Sequence, residues 1–160
     1  MNNLILTAPE RKYYAICEGF NNTDRFIHHA ANYPLAYRQI YFKHQNDATC
    51  DDDQGCIGLC FETNEYIKTG TTLEISFTVH GELQKFHGTV TSAETRENEK
   101  YEIRLWLSSK AESASLRIVE QVCYIEVYLQ YQQSRQEAPI NRERITAEWI
   151  SCYAANFPSV

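Results

Sequence analysis

The chain has 160 residues, 43% hydrophobic and 22% charged, which suits one globular domain, or one domain with a terminal helical extension. A net charge of −6 argues against a protein that wraps DNA or RNA, because such affinity comes mostly from cations neutralising phosphates. No apolar run approaches the ~20 residues of a membrane-spanning helix.

Residues 1–9 carry Leu4, Ile5 and Leu6 but neither a basic segment nor a small-residue cleavage site, so secretion is not expected. Six cysteines without paired spacing then fit a reducing compartment, and the cytoplasm is the expected address.

In chain order, a weak strand is expected over residues 35–43, and another at Ile57, Leu59 and Phe61. Period-two alternation is clearest in Thr72–Val79, where Leu73, Ile75, Phe77 and Val79 share one face. A further strand follows at Phe86, Gly88 and Val90. Tyr101–Leu107 repeats the alternation, with Tyr101, Ile103, Leu105 and Leu107 inward. Lys68-Thr69-Gly70 and His80-Gly81-Glu82 are short breaks, and residues 94–100 read as a polar loop. Short strands on short loops, each with one apolar face, suggest an antiparallel sheet curling into a barrel.

After Ser108 the period changes to that of a helix, with Ile118, Val122, Ile125 and Leu129 as one stripe, widened by Val119 and Cys123. Pro139 ends it. Asn141 is placed to cap a second helix containing Ile145, Trp149, Ile150 and Tyr153, closed by Pro158. Trp149 and Tyr153 are expected to pack, and the run Arg142-Glu143-Arg144 to be solvated.

The stretch Asp53-Gln54-Gly55-Cys56-Ile57-Gly58-Leu59, at the start of a strand, resembles the second signature of the PilZ family, (D/N)-x-S-x-x-G, with glycine in the serine position. Residues 116–128 (LRIVEQVCYIEVY) and 140–158 (INRERITAEWISCYAANFP) are similar to the helices that follow the barrel in a bacterial PilZ subgroup. The likeness spans about residues 24–158. It implies an antiparallel six-stranded β-barrel followed by C-terminal helices: an extension over residues 1–23, the barrel with its following helix over 24–131, and a helical extension over 132–160.

The resemblance also implies a non-enzymatic adaptor in cyclic-di-GMP-linked signalling, controlling motility, biofilm formation or virulence. The family's first signature, R-x-x-x-R, presents two guanidinium forks to the nucleotide. The corresponding stretch here is Asp24-Arg25-Phe26-Ile27-His28-His29, which sets Asp24 and His28 at the arginine positions, with Arg25 one position out of register. Asp51, Asp52 and Asp53 add negative charge beside the second signature. Direct cyclic-di-GMP binding is therefore expected to be weak or absent, and the expected partner is a protein of a pilus, flagellar or signalling apparatus. The alternative is a receptor for cyclic-di-GMP or another nucleotide that uses the residual set Arg25, His28, Asp53 and Gly58.

From another class, Cys50, Cys56 and Cys60, with His44 nearby, raise a metal- or redox-responsive role. Only Cys56-x-x-x-Cys60 falls within the spacing of structural zinc ligands, so free buried or half-buried thiols without metal are expected. His28 and His29, adjacent on an extended segment, point to opposite faces and are expected at the surface. No nucleophile elbow, phosphate-binding glycine loop, zinc-hydrolase motif or catalytic triad pattern is present, so no enzyme is expected and no cofactor is implied.

Overall fold

A computed structural model of the protein describes residues 25–41 and 56–158. Six strands come first: β1 (Phe26–His28), β2 (Ala36–Gln39), β3 (Gly58–Thr63), β4 (Thr72–Val79), β5 (Glu82–Thr95) and β6 (Tyr101–Leu107). Two helices follow, α1 (Lys110–Ser134) and α2 (Arg142–Tyr153), and a 3-10 turn over Ala154–Asn156.

The alternating segments form the strands for the reason their pattern suggests. Leu73, Ile75, Phe77 and Val79 of β4 are buried, as are Ile103, Leu105 and Leu107 of β6, and they meet Leu59, Phe61, Phe86 and Val90 in one core. The β4–β5 hairpin turns on His80 and Gly81, both at positive φ (49° and 80°), the conformation that a two-residue turn of matching twist requires. Strand β5 runs through Thr95, so the polar loop shortens to residues 96–100, closed by a bond from the Arg96 amide to the Lys100 carbonyl.

The strand order is β1-β3-β6-β5-β4-β2, an open sheet rather than the closed, wholly antiparallel barrel expected. The first strand pairs with β3 in parallel, Phe26 opposite Gly58 and His28 opposite Cys60, and the remaining pairs are antiparallel. The two edge strands, of three and four residues, are short for a closing ladder. The segment that joins them is instead held by side chains: the Tyr33 hydroxyl donates to the Thr78 carbonyl at 2.6 Å, and Tyr37 of β2 reaches Thr63 of β3 at 2.7 Å.

Helix α1 begins at Ser109, whose side chain accepts from the Glu112 amide, and α2 at Asn141, which accepts from the Arg144 amide as the sequence suggests. The buried face of α1 keeps Cys123 and Leu129 of the expected stripe, with Val119, Val122 and Ile125 packed at its margin, but loses Ile118 and gains polar members. Ile118 is 62% exposed, whereas Leu116, Glu120, Cys123, Tyr124, Tyr128 and Leu129 face the core. A buried carboxylate in the middle of that face breaks its apolar pattern, and two tyrosines supply much of its packing.

Trp149 of α2 is fully buried against Tyr124 and Phe157, with ring centroids 6.2 and 5.9 Å away, so the second helix shares the core of the sheet. Arg117 fastens the segment after α2 by donating to the Pro158 carbonyl at 2.7 Å. The run Arg142-Glu143-Arg144 is exposed as expected. No described helix is long and apolar enough to cross a membrane.

Candidate functional site

Because side chains alternate along a strand, placing Ile27, Leu59, Ile103 and Leu105 in the core turns their neighbours to the other face of the sheet. Register then assembles a polar cluster from three adjacent strands. His28 of β1 is opposite Cys60 of β3, Cys60 is opposite Arg104 of β6, and Glu102 lies two residues back along β6. The imidazole, thiol and carboxylate donor atoms of His28, Cys60 and Glu102 all lie within 4.8 Å of one another. They line a cavity of about 560 Å³ that also takes in His29, Tyr33 and Tyr37.

Glu102 is only 7% exposed. Burial works against its ionisation, but Arg96 and then Arg104 outweigh burial and hold the carboxyl below the usual carboxylate range. Arg104 donates from Nε to Oε1 at 3.2 Å, and Arg96 pairs with Oε2. The Arg104 guanidinium also lies 5.3 Å from the centre of the Phe26 ring, which in turn packs against Trp106 at 4.5 Å.

Helix α1 pins the chain behind this cluster. Tyr124 donates its hydroxyl to the His28 carbonyl at 2.5 Å, and Ser113 accepts from the Ile57 amide at 3.0 Å. His29 faces away from the cluster's donors toward Glu120, at 2.5 Å, and its other nitrogen meets the Tyr33 carbonyl at 2.8 Å. The two histidines do diverge, but His29 is not a surface residue: its side chain is 8% exposed and Glu120 is wholly buried.

The residual nucleotide set is only partly brought together. Arg25 donates its guanidinium to the Cys56 carbonyl at 3.0 Å, and its own carbonyl accepts from the Gly58 amide at 2.9 Å. A Cβ at Gly58 would overlap the Phe26 ring and sit 2.7 Å from the Leu105 carbonyl oxygen, so the glycine serves the close packing of β1 and β6 on β3. His28 lies two residues further along β1 and joins Cys60 and Glu102 instead. Asp53 lies outside the described residues, as do Asp24, His44, Cys50 and Gly55.

Of the cysteines considered for metal or redox chemistry, Cys60 is buried and outside any disulfide, as expected, and Cys56 is buried but disulfide-bonded, which corrects the expectation of a thiol there. Cys123 is a second buried thiol, and burial pushes its pKa up, away from reactivity. Glu102 was missed by reading motifs along the chain, since it is 42 positions from Cys60 (102 − 60). The signal was present in the alternation itself: the polar phase of Tyr101–Leu107 had to lie on the same face as His28 and Cys60.

No family model, curated protein or solved structure matches the chain.

Proposed function

We propose that the protein is a non-enzymatic regulatory adaptor of the PilZ type, working in cyclic-di-GMP-linked signalling through contacts with a protein partner rather than by gripping the nucleotide itself. The observation that carries this reading is the engagement of the residual site within the fold: Arg25 donates to the Cys56 carbonyl, and the Phe26 ring fills the space beside Gly58. His28, at one of the two family arginine positions, stands beside the carboxylate of Glu102, an unwelcoming neighbour for a phosphate.

The magnitudes point the same way. Charge-assisted hydrogen bonds contribute about 1.5–3 kcal/mol each. Absence of both signature arginines therefore weakens affinity by several powers of ten, at about 1.4 kcal/mol per tenfold. Strands followed by two capped helices agree with the resemblance, while the open sheet departs from it. The partner is a protein component of a pilus, flagellar or signalling apparatus.

The test is equilibrium binding of a fluorescent cyclic-di-GMP analogue to the wild type and to the Arg25→Ala and Asp53→Ala variants. None should bind saturably. Saturable wild-type binding that either substitution abolishes would replace this reading with that of a nucleotide receptor.

A further inference from the structure

We propose that His28, Cys60 and Glu102 form a binding site for a divalent transition-metal ion, zinc being the best match to the ligands. An imidazole nitrogen, a thiolate and a carboxylate oxygen are the three side-chain donors that zinc takes in proteins, and a mixed set of this kind disfavours magnesium and calcium, which prefer oxygen throughout.

Geometry carries the proposal. The three donor atoms lie within 4.8 Å of one another. Donors at ordinary zinc bond lengths in a tetrahedron stand about 3.3–3.8 Å apart. A metal ion would draw these side chains together by roughly 1 Å, which small side-chain rotations supply within one rotamer well. The backbone positions are already fixed, because the ligands sit on three hydrogen-bonded strands and His28 and Cys60 are direct partners in the β1–β3 ladder.

The surroundings are those of a built site rather than an exposed acidic patch. Cys60 is 3% and Glu102 7% exposed. Glu102 is oriented by Arg104 and Arg96, and the strand carrying His28 is held by the Tyr124 hydroxyl. Such outer partners fix ligand direction in metal sites. The arginines do not exhaust the carboxylate, since each of its oxygens has a second lone pair. Coordination moves the Cys60 thiol proton to solvent, so a dication, a thiolate and a carboxylate sum to zero, with the Arg96 and Arg104 charges beside them. Three protein donors leave one tetrahedral position for water or a small ligand from the adjoining cavity of about 560 Å³. His28 belongs to both this site and the residual nucleotide set, but the metal readout uses no nucleotide and the nucleotide titration no metal, so this test and that of the adaptor reading fail separately.

The probe is cobalt(II), added to the metal-free full-length chain, with zinc as competitor. One equivalent of cobalt should produce a thiolate-to-cobalt charge-transfer band with tetrahedral d–d absorption, and zinc should bleach both. Cys60→Ser should remove the charge-transfer band, and His28→Ala and Glu102→Gln should each weaken cobalt binding by about tenfold or more. No charge-transfer band in the wild type, or an undiminished band in Cys60→Ser, overturns the site. If Cys60→Ser does not fold, His28→Ala decides: unchanged cobalt affinity and d–d spectrum in that variant also overturn it.

Discussion

Nδ1 of His29 lies 2.5 Å from Oε1 of Glu120, joining the end of β1 to the buried face of α1. The other imidazole nitrogen meets the Tyr33 carbonyl at 2.8 Å, and Oε2 of Glu120 accepts from the Ala30 amide at 3.2 Å. Both ring nitrogens thus face oxygen atoms, an arrangement that favours the protonated imidazole. Burial opposes that charge, but the adjacent carboxylate prevails and raises the His29 pKa above its ordinary value. This pair, with the Tyr124 bond to the His28 carbonyl, ties the helix to the strand that carries the candidate ligand His28.

Breaking the pair from one side should therefore be expensive. Glu120→Ala leaves the buried His29 ring and the Ala30 amide without their acceptor, and His29→Ala leaves the buried Glu120 carboxyl without its partner. Either is expected to cost about 3–5 kcal/mol in urea unfolding. Replacing both with leucine should recover part of that loss, the Ala30 amide still lacking its acceptor. A cost below about 1 kcal/mol for either single variant would contradict the assignment of a buried ion pair.

Acid stability should report on Glu74. Arg38, its direct partner across the β2–β4 ladder, donates to it at 2.8 Å, and His87 and Lys85 flank it. Arg38 is the largest influence and burial opposes it, leaving the Glu74 pKa at about 2 instead of 4.5. A depressed folded-state value means stability that is complete above pH 4.5 and lost as pH falls toward about 2. Melting temperatures across that window should fall less steeply in Glu74→Gln than in the wild type; identical slopes would contradict the coupling.

Gly58 separates a packing role from a ligand role. A methyl group there meets the Phe26 ring and the Leu105 backbone, so Gly58→Ala should destabilise the protein by about 1–3 kcal/mol. Trimming the ring in a Phe26→Leu, Gly58→Ala double variant should recover only part of this, because the Leu105 carbonyl remains. Thermal unfolding of the two variants is sufficient, and an unchanged melting temperature in Gly58→Ala would contradict the close packing.

The face of α1 can be tested in the same way. Leu116→Ala should cost about 2–5 kcal/mol, whereas Ile118→Asp, at a position 62% exposed, should stay within about 0.5 kcal/mol of wild type. The reverse order would restore the stripe through Ile118.

This helix also shows what could be read from the sequence and what could not. The bounds of Thr72–Val79 and Tyr101–Leu107 were legible to the residue, because each alternates apolar and polar positions, although Glu102 on the polar phase of β6 is itself buried. Asn141 was legible as a cap because its chemistry is local. The inward place of Glu120 on α1 was not, because it is buried by a partner 91 positions away (120 − 29), and periodicity treats a charged residue as outward. The open sheet escaped for a related reason: the parallel pairing of Phe26–His28 with β3 is a long-range choice made by three residues too few to show a period. At the candidate site, His28 and Cys60 were visible as residue types, but only strand register brings Glu102 to them.

The central claim is that the fold carries an adaptor whose nucleotide grip is gone, and isothermal calorimetry of the full-length chain with cyclic-di-GMP tests it most directly. Heats indistinguishable from dilution are expected, corresponding to a Kd weaker than about 100 μM. A saturating isotherm with a Kd of about 10 μM or tighter would contradict the claim and return Arg25, His28, Asp53 and Gly58 to the role of a working site.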